Sequence, residues 1–367
     1  MTDIEKRSKT GGFFLGLSLV IVIALLSLYL SSLFSATIHA DWLKGILGSN
    51  VVVAIVLGML INNLILERLP KFTKFIEGGL ESFEFLLKLG IIFLGARIIV
   101  ADLLRLGGIG LGMVIVEIIF SIGFVMLFAK LFKLPEKLGS LLAVGVAVCG
   151  VSAIIGASGA INAKKEEANY AISTILVFGA AAMVVYPLIG RLIGMTPTMF
   201  GVWAGLAVDN TAESVATGKL YDQIMGTTGA LEGATIAKMC RNALMGFVIL
   251  GLAIYYASKG MADKLDNKGK FLWQKFPKFV LGFVLFAILA STGIFGEAGS
   301  PTLKAIKNLE KWAFLLTFAG VGLRTRFKDM SKAGWKPFVV GISTETAVAG
   351  FTLVMVLLLG SSLTLSV

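Results

Sequence analysis

Asp209, Asn210, Thr211, Glu213 and Ser214 stand almost side by side within Phe200–Gly218, a stretch bounded by long apolar runs. An acid facing lipid at the bilayer centre costs about 3 kcal/mol on insertion scales, so acids kept there need partners, water or a task. Carboxylates, an amide and hydroxyls at this spacing can solvate an ion or a small solute. An unwound backbone between two half-helices would add free N–H and C=O groups and a helix-end dipole. The competing reading is a polar loop that reaches water, with Asp209 capping a short helix.

Two other stretches could complete such a site. Lys238 and Arg241, three residues apart and followed by Asn242, share one face of a helix inside the apolar run Gly226–Ala257. They could neutralise Asp209 and Glu213, or face an anion; a purely structural ion-pair network would use the same residues. Cys149, Gly150 and Ser152 lie in a small-residue segment that allows close backbone approach. Cys149 has no histidine base near it in sequence and does not read as a nucleophile. Glu117 and Glu345 are mid-helix acids that read better as scaffold or oligomer contacts than as solute ligands.

The chain has 367 residues, of which 57% are hydrophobic and 15% charged, against about 25% charged in soluble domains. This is the composition of an all-α polytopic membrane protein. The net charge of +11 is spread over short loops between apolar runs, which argues against nucleic-acid binding. One histidine and two cysteines without CxxC spacing exclude a His- or Cys-built metal site, so no metal and no cofactor is expected. No Walker A, HExxH or GxSxG pattern occurs, so the chain reads as a non-enzyme.

Residues 1–12 form a polar leader, expected on the cytoplasmic side, and 13–367 a single transmembrane domain. Its apolar segments are Phe13–Phe34, Asn50–Leu66, Ser82–Val100, Gly108–Phe132, Leu138–Ile161, Ala168–Ile193, Met199–Gly218, Gly226–Ala257, Phe279–Phe295, Leu309–Gly322 and Lys336–Leu359, about eleven in all. His39 and Trp42 fall in the first loop and read as headgroup-level residues. Lys and Arg concentrate near Lys6, Arg68, Lys130, Lys259–Lys278 and Arg324–Lys336, which places the N-terminus inside.

An internal repeat sets the architecture. Gly95-Ala96-Arg97 followed by Asp102, Leu103, Arg105 and Gly107 recurs as Gly322-Leu323-Arg324 followed by Asp329, Met330, Lys332 and Gly334, with the spacing kept. The expected topology runs the two copies in opposite directions, giving inverted-repeat elements at about 50–132 and 279–359 around core segments at about 138–257. The Gly-rich Leu138–Ile161 and Met199–Gly218 would run parallel as full crossings. Inverted symmetry instead predicts broken or re-entrant segments entering from opposite faces.

The chain resembles the YeiH-like family of conserved membrane proteins, often labelled sulfate exporters. The resemblance rests on Leu89–Arg97, Cys149–Ile154, Ala163–Glu167, Trp203–Gly218, Ala234–Arg241, Phe276–Phe283 and Ala333–Pro337. It implies kinship with the cation/proton-antiporter and anion-transporter group, whose inverted repeats move a transport domain against a scaffold. Family members typically read His-Asp-Thr-Ser-Gln where this chain has Asp209-Asn210-Thr211-Ala212-Glu213, so the site here is more negative; Lys238 and Arg241 match the family's cations.

The expected function is a secondary transporter in the bacterial inner membrane, exporting a small anion (sulfate or sulfonate-like) coupled to H⁺ or Na⁺. A cation/proton antiporter and a non-transporting scaffold or sensor are the alternatives. Its partners would be the anion, the coupling ion, the lipid bilayer and, for a homo-oligomer, a second copy. The expected site is Asp209, Asn210, Thr211, Glu213, Ser214, Cys149, Gly150, Ser152, Lys238, Arg241 and Asn242.

Overall fold

The computed structural model describes residues 3–37, 48–98, 100–263, 267–297, 299–325 and 335–363. The expected headgroup residues His39 and Trp42, and Asp329–Gly334 of the second repeat copy, lie outside the described residues. So do the loop cations Lys264, Arg326, Lys328 and Lys332.

Apolar chain in lipid must satisfy its backbone internally, and the described residues do so with helices and no strand. In order they are α1 (Asp3–Thr37), α2 (Asn50–Leu64), α3 (Pro70–Leu80), α4 (Phe83–Gly95), α5 (Val100–Leu131), α6 (Glu136–Ala147), α7 (Val151–Ala160) and α8 (Lys165–Leu192). Then come α9 (Pro197–Ala207), α10 (Thr211–Met225), α11 (Ala230–Ala243), α12 (Met245–Ser258), α13 (Lys268–Lys275), α14 (Phe279–Ser291), α15 (Pro301–Arg324) and α16 (Trp335–Leu359). Six described spans are long and apolar enough to cross a bilayer: Thr10–Thr37, Asn50–Arg68, Val100–Leu131, Lys165–Leu192, Ala230–Ser258 and Val339–Leu359. A seventh is added if α13 and α14, bent by 67°, act together. Several of the eleven apolar segments are therefore short or broken helices rather than single long ones.

The chain divides into two compact units. One holds the described residues of Met1–Ile99, Gln223–Gly226 and Gly282–Lys328. Here α1 packs on α2 and α3, and α15 packs on α2 and α4. Small residues set the α2–α15 seam: a Cβ on Gly58 would lie 2.6 Å from the Ala319 carbonyl, and one on Gly322 would collide with the Ile55 carbonyl. The repeat surfaces here as reciprocal ion pairs. Arg97, just beyond α4, reaches Glu310 of α15 at 3.2 Å, and Arg324, ending α15, reaches Glu84 of α4 at 2.6 Å. Each arginine ends its Gly-x-Arg motif and finds an acid 11 or 12 residues before the motif's glycine on the other copy, as an antiparallel pair requires.

The other unit holds the described residues of Val100–Asp222, Thr227–Leu281 and Asp329–Val367. Its axis is α8, 28 residues long and so about 42 Å at 1.5 Å per residue. Both Gly-rich segments turn back on themselves beside it. The α6–α7 segment is a hairpin: Lys137 Nζ, at its start, donates to the carbonyl of Asn162, just past its end, at 2.8 Å. Within it, the Ile154 side chain folds over Gly145. The α9–α10 segment is a second hairpin. Phe200 stacks on Tyr221 at 3.9 Å, the Tyr221 hydroxyl donates to the Met195 carbonyl at 2.5 Å, and Ser214 Oγ donates to the Ala204 carbonyl at 3.1 Å.

The foot of the first hairpin adjoins the start of α8, and the foot of the second adjoins its end. The hairpins thus enter from opposite ends of α8, and their tips meet. A Cβ on Gly150 would stand 3.3 Å from Asn210 Cα and 3.1 Å from Ile175 Cγ2, and Gly150 itself has φ +65°. Only glycine combines that backbone with that approach. Around the hairpins, α5 packs on α6, α11 and α16, and α9 packs on α11 and α16. Phe120 of α5 stacks on Phe351 of α16 at 4.0 Å, joining the second helices of the two repeat copies.

Candidate functional site

Two hairpins meeting tip to tip bring four helix ends to one place. The C-termini of α6 and α9 present carbonyls without intrahelical partners, and the N-termini of α7 and α10 present such N–H groups. Aligned peptide dipoles put roughly half a unit of negative charge at each C-terminus and half a unit of positive charge at each N-terminus. The side chains gathered there follow from that pattern.

Lys238 and Arg241, both fully buried, project from α11 onto the carbonyl ends. The Lys238 ammonium donates to the carbonyls of Val208 and Asp209 at 2.6 and 2.5 Å. The Arg241 guanidinium bridges both hairpins. Nε donates to Ala147 O at 3.3 Å and Nη2 to Val146 O, on the first hairpin. Nη1 donates to Leu206 O at 2.5 Å and to Gly205 O at 3.3 Å, on the second. Arg241 is thus the cap of two helices at once. Its planar fork of five donors suits it to that, where an ammonium would not reach both.

Four buried carboxyls surround these cations. Glu117 of α5 accepts a hydrogen bond from Ser121 Oγ at 2.6 Å and lies 3.4 Å from Arg241 Nε. Asp209, at the tip of the second hairpin, lies 3.9 Å from Arg241 Nη2. Its carboxyl also meets that of Glu345, from α16, within hydrogen-bonding reach. Glu213, in the first turn of α10, presses its carboxyl against the backbone of Gly179 on α8, where a Cβ would collide with it. No N–H or hydroxyl among the described residues donates to either oxygen of Asp209, Glu213 or Glu345. If every group were ionised, the cluster would hold two negative charges more than it has positive ones.

The remaining expected residues divide between lining and bracing. Asn210 Oδ1 accepts from Ala212 N at 2.9 Å, starting α10 with a side-chain cap. Asn242 Nδ2 donates to Thr211 Oγ1 at 3.2 Å, while Asn242 Oδ1 has no donor among the described residues. Gly150 supplies the close approach of the tips. Ser214 is turned to the Ala204 carbonyl and holds the hairpin closed. Cys149 is buried with its Sγ 3.3 Å from Met245 Sδ, and Ser152, opening α7, is exposed. No three Asp, Glu, His or Cys side chains among the described residues converge as metal ligands.

Glu117 and Glu345, expected as scaffold or oligomer contacts, instead stand inside the cluster, one on Arg241 and one on Asp209. The signal that could have found them was the repeat itself. The repeat offset carries Glu117 onto Thr344, the residue beside Glu345, so each copy places an acid at nearly the same level of its second helix.

A family model described as "Conserved hypothetical protein 698" matches residues 15–341. A UPF0324 membrane protein of Nitratidesulfovibrio vulgaris is 33% identical over 311 residues, covering 84% of this chain and 83% of the relative. A longer one from the same organism is 31% identical over 318 residues, 82% of this chain and 53% of the relative. One from Streptococcus pyogenes serotype M6 is 30% identical over 345 residues, 94% and 97% of the two chains. No solved structure matches the chain.

Proposed function

The chain belongs to the YeiH-like UPF0324 family of membrane proteins, and from the geometry of its hairpin unit we propose that it is a secondary active transporter. The observation that carries the reading is the meeting of two re-entrant hairpin tips at buried carboxyls that have no donors among the described residues. Irregular backbone at membrane depth is tolerated where it is buried in protein or lines a cavity, and intramembrane acids mark ion pathways. Broken helices that expose their ends near the midplane are how many transporters hold solute and coupling ion together.

In this reading the protein exports a small anion, sulfate or sulfonate-like, coupled to H⁺ or Na⁺. The orphan N–H groups at the starts of α7 and α10, with the Ser152 hydroxyl, hold the anion. Asp209, Glu213 and Glu345 exchange the coupling ion. The membrane in this reading is the bacterial inner membrane, and the N-terminus is cytoplasmic, the orientation that the loop cations favour. No covalent chemistry is assigned to the chain.

The test is flux in proteoliposomes containing the full chain, with sulfate, taurine and acetate offered in turn under pH and Na⁺ gradients. Gradient-dependent movement of one anion, lost in Asp209→Asn while the variant stays monodisperse, is the expected result. Coupled flux undiminished in that variant removes Asp209 from the mechanism.

One observation favours a second reading, a cation/proton antiporter. Lys238 and Arg241, the cations that would hold an anion, spend their donors on carbonyls. Dissipation of a pH gradient on adding Na⁺, with no dependence on the anion, selects it.

A further inference from the structure

Asp209 and Glu345 reach each other from different elements, the tip of the second hairpin and α16, and meet carboxyl to carboxyl. They are 0% and 6% exposed. An ionised carboxylate only accepts hydrogen bonds, so two ionised ones in contact have nothing to exchange but repulsion. No backbone N–H, hydroxyl or ammonium among the described residues donates to any of their four oxygens. One proton between them changes this: the protonated partner donates, the ionised one accepts, and the pair carries a single negative charge. Acid–carboxylate pairs of this kind arise wherever two carboxyls share a site too small for two charges.

Resting on the transporter reading above, we propose that Asp209 and Glu345 act as one acid–carboxylate unit that carries a single exchangeable proton, with Glu345 a binding residue equal in standing to Asp209. The charges facing the pair support that count. On one side, Arg241 Nη2 at 3.9 Å from Asp209 favours keeping one charge. Lys238, bound to the carbonyl of Asp209 itself, favours the same. Glu117 already neutralises part of Arg241 and leaves no surplus cation for a second charge. From α8, Tyr186 lies within electrostatic reach of both carboxyls, and an ionised Glu213 on the same hairpin would add repulsion. With one proton on the pair and Glu213 neutral as well, the pair and Glu117 together balance Lys238 and Arg241. Release of that proton leaves the hairpin tip and α16 mutually repelled, so loading and unloading bear directly on the contact between the two elements.

Infrared spectroscopy of the purified full chain in lipid nanodiscs reads the proton directly. Glu213→Gln is the background, because the Glu213 carboxyl also has no donor among the described residues and would add its own signal. The expected result at neutral pH is a carboxylic-acid C=O band that shifts in D₂O and bleaches as the pH is raised. Adding Asp209→Asn or Glu345→Gln singly must abolish it, since an amide then supplies the missing donor. No such band in the Glu213→Gln protein overturns the proposal without any need for the double variants. A band that survives in a folded double variant, or that Na⁺ abolishes at constant pH, overturns it too. The measurement needs no solute. Absent flux with the band present costs the transport reading, and an absent band with flux intact costs only the shared proton.

Discussion

Two sets of buried or half-buried charges in this molecule use the same residue types and end differently. In the first unit, Arg97 takes Glu310 and Arg324 takes Glu84, each arginine at a helix end. In the hairpin unit, Arg241 and Lys238 give their hydrogen bonds mainly to carbonyls, and carboxyls are left over. The first arrangement closes on itself and braces the repeat. The second cannot close without a proton, an ion or a solute. What separates them is backbone continuity: unbroken helices offer few free carbonyls, and broken ones offer enough to occupy every cation.

The comparison breaks most sharply at Arg241. Arg241→Met removes the cap of two helix C-termini and leaves Glu117 and Asp209 without their cation, and stranding a buried charge costs about 3–5 kcal/mol. The expected outcome is loss of monodisperse protein in detergent size-exclusion chromatography. The matching change in the first unit, Arg324→Ala, breaks a pair that is 31% and 46% exposed. Such pairs are worth about 0–1 kcal/mol, so its elution profile should be unchanged and its melting point barely lower. Equal losses in the two variants would erase the distinction.

Gly179 sharpens the hairpin side of the comparison. A Cβ there runs into the Glu213 carboxyl, and overpacking of this kind costs about 1–3 kcal/mol. Gly179→Ala should lower the melting temperature, and Glu213→Ala in the same chain should restore it by opening the space. If Glu213→Ala fails to restore stability, the acid is not what fills that position.

Much of this was legible in the sequence, and the rest was hidden for physical reasons. The Gly-x-Arg repeat announced itself because spacing survives in one dimension. The reciprocal pairs add only the partners Glu84 and Glu310. Asp209, Asn210, Thr211, Lys238, Arg241 and Asn242 were marked by polarity in apolar surroundings, and the fold does bring them together. That Leu138–Ile161 turns back rather than crosses was favoured only by the inverted symmetry, because apolar composition is the same either way. The turn is settled by Gly150's positive φ and by contacts such as Lys137 with Asn162. The meeting of Asp209 with Glu345 was invisible too, since no local pattern links residues so far apart in the chain. Nor could the sequence say that Lys238 would find backbone oxygen, because carbonyls have no letter of their own.

The smallest expected effect lies at the foot of the first hairpin, where a pair of the closed kind sits beside the hairpin that leads to the open one. Glu136 Oε1 accepts from Lys259 Nζ at 2.7 Å and from the Tyr255 hydroxyl at 2.9 Å. The Lys259 hydrogen bond is the main cause holding the Glu136 carboxyl below its ordinary value, with Tyr255 adding to it. A carboxyl depressed in the folded state stabilises above its unfolded value of about 4.3 and loses that contribution as the pH falls through the lower folded value. Glu136→Gln should therefore melt slightly below the parent at pH 7, with the gap closing on acidification below the carboxylate range. Both partners are largely exposed, at 41% and 38%, so salt should shrink the gap as well. A difference that is instead constant from neutral to acid pH would mean that Glu136 contributes through packing or helix capping, and that the hairpin foot is not held by charge.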